Sequence, residues 1–215
     1  MKKQSLRAII LAIITILLIT VGLFSYRWYN EERVEDAEVE DGEYKSDLIY
    51  GLRGVRNETR LVVNGTRIAS EEKVQDYDDF IGLQDSQAGQ VASRMNLLMV
   101  ISLVLAILFI PLVYLSSEGT LEDKVGKIGS YLPLICGQIA VLLLIISPMW
   151  FSYAFIMGLT ADMEVLDEGP PQALGDNAGL WVIFGGVLLQ FGVMNAMART
   201  KLIFIEPPKG KTKKT

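Results

Sequence analysis

"YLPLICGQIAVLLLIISPMWFSYAFIMGL", residues 131–159, contains no Asp, Glu, Lys or Arg. The hydrocarbon core of a bilayer is about 30 Å thick, and about 20 apolar helical residues cross it. Buried helices of soluble proteins rarely run so far without a polar face. The stretch therefore predicts a membrane span at 131–159. Working outward, three more runs meet the same test, at 6–26, 94–115 and 180–198, and the only charges they contain are Arg7 and Arg94 near their ends. The chain average, 51% hydrophobic residues with a mean hydropathy of +0.34, would suit a soluble domain too. It is the clustering of apolar residues that decides. The first run is longer than the apolar part of a cleaved leader and lacks a small-x-small cleavage site, so it predicts an uncleaved signal anchor.

Orientation follows from Lys and Arg in the flanks. Lys2, Lys3 and Arg7 open the chain, and residues 199–215 carry six basic residues against one acid. The connection 160–179 has five acids and no Lys or Arg. This bias predicts a multi-pass protein of the cell membrane. Its N-terminus (1–5), connection 116–130 and basic tail (199–215) face the cytoplasm, and 27–93 and 160–179 face outside. The net charge of −5 averages these two unlike faces.

The connection 27–93 has a soluble character. It begins with "NEERVEDAEVEDGEYKSD", whose charge density predicts an exposed, partly mobile segment. Asn64-Gly65 then sits between "TRLVV" and "TRIAS", a strong hairpin signal because both centres of a type I′ turn need positive φ. Strands are expected near 47–56, 59–63 and 66–70, followed by a short helical approach to the second span. Leu48, Tyr50, Leu61, Val62 and Ile68 are the candidate interaction surface. Asn57-Glu58-Thr59 and Asn64-Gly65-Thr66 match N-glycosylation acceptors, which makes Asn57 and Asn64 candidate glycan sites.

Chemistry is sparse. There is no His and a single cysteine, Cys136 within the third span. This removes the commonest general base and metal ligand, any thiolate metal site and any intrachain disulfide. No nucleotide, phosphate-loop or hydrolase motif appears. The reading is of a non-enzyme with no catalytic residues, no cofactor, no metal, no nucleic-acid partner and no identified small-molecule substrate. "DYDDF", residues 76–80, lacks the spacing of an EF-hand loop and predicts a solvated acidic face. Gly185, Gly186, Gly192 and Ala196 are candidate helix-packing positions on the fourth span, since small residues let helices approach closely.

The local features "YRWYN", "IYGLRGV", "GLQDSQAGQVASRMNLLMVISLVLAIL", "CGQIAVLLLIISPMW" and "GLWVIFGGVLL", with the topology around them, resemble the claudin-like superfamily. That superfamily includes peripheral myelin protein and the calcium-channel gamma subunits. Trp28, Gly51, Leu52 and Arg94 match, whereas Arg53 stands where that family has Trp and its paired first-loop cysteines are absent. The resemblance implies a four-helix membrane bundle carrying a small extracellular antiparallel β-sheet in its first outer loop. For function it implies adhesion, scaffolding or an accessory role in a larger membrane complex. Beyond the lipid bilayer, the expected partners are other membrane proteins or further copies of this chain. The alternative is a small ion channel or paracellular-type pore, with Asp76, Asp78 and Asp79 attracting cations.

Overall fold

A computed structural model describes residues 3–25, 27–36, 42–83, 85–166, 174–175 and 178–204. Four helices are long and apolar enough to cross a membrane: α1 (Lys3–Phe24), α3 (Gln87–Glu118), α5 (Leu132–Val165) and α6 (Ala178–Phe204). The protein is thus a helical membrane protein. Between α1 and α3 lie β1 (Tyr29–Asp36), β2 (Gly42–Tyr50), β3 (Val55–Val63), β4 (Thr66–Gln75) and the short helix α2 (Tyr77–Ile81). Helix α4 (Thr120–Val125) and a 3₁₀ turn (Gly126–Tyr131) join α3 to α5, and the two-residue β5 (Leu174–Gly175) precedes α6.

The bundle closes as a ring: α1 packs on α3 and α6, and α5 on α3 and α6. Its interior spacing is heptad-like. In α3 the buried residues are Ala88, Ala92, Met95, Met99, Ser102, Ala106, Phe109 and Val113. The steps alternate four and three, the 3.5-residue period of left-handed bundles. In α1, Ser5, Ala8, Ala12, Thr15 and Ile19 repeat it. Lipid is as apolar as Leu, so helix association depends on close packing rather than on sorting polar from apolar. Small residues accordingly concentrate inside, while Leu17, Leu97, Ile146 and Phe191 face outward.

The sheet has the order β4-β3-β2-β1-β5 and is antiparallel throughout. Its first hairpin corrects the expectation for the charged segment, because residues 29–36 and 42–50 are paired strands. Their charged side chains find partners: the carboxylate of Glu31, 4% exposed, accepts hydrogen bonds from Tyr50 Oη at 2.9 Å and Arg33 Nε at 3.0 Å. The strand expected at 47–56 is instead two, broken between Gly51 and Gly54. Gly54 sits at φ +154°, with the Gln75 carbonyl packed where a Cβ would project. β4 continues to Gln75 rather than ending at 70, with Glu72 held by Arg56 at 3.0 Å across to β3. The Asn64-Gly65 turn has φ of 50° and 74°, both positive as a type I′ turn requires.

The helices also overrun their expected bounds. α3 starts at Gln87 rather than 94, and α5 runs to Val165 rather than 159. The connection expected at 116–130 is largely helical. Most of the 160–179 connection beyond Leu166, and the tail beyond 204, lie outside the described residues.

Candidate interaction surface

The sheet stands on the bundle through a cluster of aromatic rings. Phe155 of α5, fully buried, stacks on Tyr29 with centroids 5.2 Å apart. It also meets Tyr50 and Tyr77 edge-on, each at 5.7 Å. Phe151 adds edge contact with Trp28 at 5.3 Å, and Trp28 Nε1 donates to the Gly22 carbonyl at 2.8 Å. Aromatic pairs contribute about 0.5–1.5 kcal/mol beyond their buried area. This joint takes the mechanical place a disulfide has in many small sheets. Tyr77 donates its hydroxyl to the Gly51 carbonyl, and burial pushes its phenol well above the ordinary range.

A second joint was invisible in the acid count of the 160–179 connection. Asp162 lies in the last turns of α5 and is 3% exposed. Its two carboxylate oxygens accept from Gln87 N and Ala88 N, each at 2.9 Å. Helix α3 leaves its first amides without intrahelical partners, and Asp162 satisfies two of them from another helix. Ser86 Oγ accepts from Gly89 N at 2.8 Å to complete the cap. A signal was present in the sequence: Phe151, Phe155, Gly158 and Asp162 continue the four-and-three interior spacing of α5.

The candidate surface residues separate. Leu48 and Tyr50 are 2% and 0% exposed, so they belong to the core rather than to any free surface. The strand period of two explains this, because both share with Tyr29 and Val55 the face set on the bundle. Leu61 and Val62 are half-buried neighbours on opposite faces of β3. Ile68 is exposed on β4, where the β3–β4 register slips past it between Leu61 and Val62.

The face turned from the bundle places Glu32, Asp47, Glu58 and Glu72 in one row across four strands. Like charges directly opposite are destabilising, and arginines compensate them. Arg60 reaches Asp47 at 2.7 Å and Glu58 at 3.1 Å, and Arg67 reaches Glu58 at 3.5 Å. The Arg60 hydrogen bond holds the Glu58 carboxyl below its ordinary range. Partly solvated pairs of this kind add little stability.

Asn64 is exposed at the hairpin tip. Asn57 is half-buried, its Oδ1 accepting from Thr59 Oγ1 at 3.2 Å. Of the loop aspartates, Asp76 caps α2 through Asp79 N at 2.8 Å, and Asp78 Oδ1 accepts from Ser86 N at 3.2 Å. On α6, Gly185 faces Thr15 and Leu18, Gly186 faces Leu144, and Gly192 faces the Ala8 backbone of α1. Thr15 Oγ1 donates to the Gly185 carbonyl at 2.9 Å, across the α1–α6 contact. Ala196 is partly buried against the core. Among the described residues, no group of three or more Cys, Asp or Glu side chains is placed to hold a metal ion.

The remaining feature is the sheet's outer edge. β1 is covered by β5 on one side, whereas β4 pairs only with β3 among the described residues. From Thr66 to Val74 every β4 residue is exposed. The chain matches no protein-family model and no curated protein.

Proposed function

We propose that this is a non-enzymatic protein of the plasma membrane, claudin-like in architecture. Its sheet stands outside the cell, its termini lie in the cytoplasm, and the protein acts by contact rather than by turnover. The observation that carries this reading is the β4 edge, which pairs only with β3 among the described residues: ten residues long, with Ile68 and Val74 more than half exposed. A free edge presents unpaired amides and carbonyls, which another strand can satisfy. Such edges are usually blunted against indiscriminate pairing. Here the blunting is selective, because Arg67, Glu71, Glu72 and Lys73 admit only a strand of complementary charge. The function is adhesion, scaffolding or an accessory role in a larger membrane assembly. The partner is another membrane protein or a second copy of this chain.

The test is the mass of the assembly extracted from its native membrane in mild detergent. Ile68→Asp, and separately Val62→Asp, are expected to shift the protein to a smaller species while sheet and helix content persist. An unchanged mass for both variants would sink the reading.

A further inference from the structure

An open cleft of about 450 Å³ lies where the Gly51–Gly54 turn, α2 and the first turns of α3 meet. Small-ligand sites occupy roughly 300–1,000 Å³. The cleft stands at the boundary between the apolar helix surface and the sheet. Asn96 lines it, while Leu97, Val100 and Ile101 just below are exposed and apolar.

Among the described residues, the one basic side chain that lines it is Arg53, on the turn. The guanidinium carbon lies 5.8 Å from the centre of the Phe24 ring, which is itself 65% exposed at the end of α1. An exposed ring at the end of α1 thus lies against the Arg53 cation. Asp76, Asp78 and Asp85 line the same cleft, yet none lies within ion-pair distance of Arg53 among the described residues. Asp76 and Asp78 each commit Oδ1 to a backbone amide, at 2.8 and 3.2 Å, leaving Oδ2 to accept from a ligand. The cleft therefore offers a guanidinium and three carboxylates that are not ion-paired with one another.

A dipolar ligand with a phosphate and an amine fits this arrangement. Guanidinium binds phosphate oxygens through paired N–H donors. A primary ammonium has three donors and no acceptor, and carboxylates satisfy it. A quaternary ammonium needs an aromatic cage instead. Among the described residues, Tyr77 is the one aromatic side chain on the wall, and its hydroxyl is turned to the Gly51 carbonyl. We infer that the cleft binds a phosphoethanolamine group, with Arg53 on the phosphate and the aspartates around the ammonium. Its place at the apolar boundary favours a phospholipid headgroup over the free compound.

The experiment is native mass spectrometry of the full chain in mild detergent. The chain is titrated with phosphatidylethanolamine and with phosphatidylcholine of matched acyl chains. Phosphatidylethanolamine is expected to be retained roughly tenfold better, as charge-assisted contacts to a primary ammonium would give. Asp85→Asn should bring it down to the phosphatidylcholine level, and Arg53→Gln should lower the retention of both lipids, with helix content unchanged. Asn is chosen at 85 because it tolerates the positive φ of 59° found there. Displacement of the lipid by O-phosphoethanolamine at millimolar concentration would support the same chemistry with a soluble source. Equal retention of both lipids, no retention of either, or retention indifferent to both substitutions would overturn the assignment.

Discussion

Replacing Asp162 with Ala should loosen the start of α3 without unfolding the bundle. The carboxylate accepts two backbone amides at 2.9 Å in a position only 3% exposed. A hydrogen bond to a charged group contributes about 1.5–3 kcal/mol. The loss of a helix cap costs about 0.5–2 kcal/mol. The two contributions overlap, because the bonds are the cap, so about 3 kcal/mol is the expected local loss. That corresponds to roughly a hundredfold change in an opening equilibrium. The assay is hydrogen–deuterium exchange of the detergent-solubilised protein, read on peptides covering residues 86–92. Their amides should exchange about a hundredfold faster in Asp162→Ala, while peptides from residues 97–110 should be nearly unaffected. Asp162→Asn should fall between, because its amide keeps one acceptor oxygen and turns a donor toward the second N–H. Thr160→Ala is the control, since its exposed hydroxyl bonds only the Ile156 carbonyl of its own helix. Equal exchange at 86–92 in wild type and Asp162→Ala would refute the clamp.

Two further outcomes follow from the same geometry. In a cell with N-glycosylation machinery, Asn64→Gln should abolish an amidase-sensitive shift in gel mobility. Asn57→Gln should change it little, because the Asn57 side chain is half-buried and bonded to Thr59; no shift in the wild type would count against the outward orientation of the sheet. Tyr77 supplies a pH dependence. Its folded pKa is raised above the ordinary value near 10.0, so its contribution is complete below that pH and is lost as pH rises through the folded value. Tyr77→Phe should therefore cost about 1 kcal/mol at neutral pH and flatten the alkaline limb of a thermal-stability profile. An alkaline limb identical to wild type would contradict this.

The spans were legible because charge-free apolar runs of this length are rare outside a bilayer. Their interior faces were not. Leu97 and Met99 are equally apolar, yet one faces out and the other is buried. What separates them is position in the 3.5-residue spacing of α3, which hydropathy does not register. The hairpin tip was readable from Asn64-Gly65, because backbone sterics restrict that dipeptide so strongly. β1 was hidden by its charges. Glu31 reads as a solvated acid until Tyr50, 19 residues later in sequence, is placed against it in the sheet. The extra length of β4 was hidden likewise, since the partner of Glu72 is Arg56 on the neighbouring strand. Leu48 and Tyr50 were recognisable as apolar strand residues, but only the position of α5 shows that their face is covered by Phe155 and its neighbours. In each case the deciding fact is a contact between residues far apart in the chain.

The measurement that bears most directly on a contact function is amide exchange along β4, residues 66–75, compared between the protein in its native membrane assembly and the same protein dispersed as single chains. If a partner strand adds to this edge, the outward amides of β4 should be protected in the assembly and exchange rapidly in the dispersed chain, with β2 unchanged between the two. Equal exchange along β4 in both states would contradict recognition through the sheet edge.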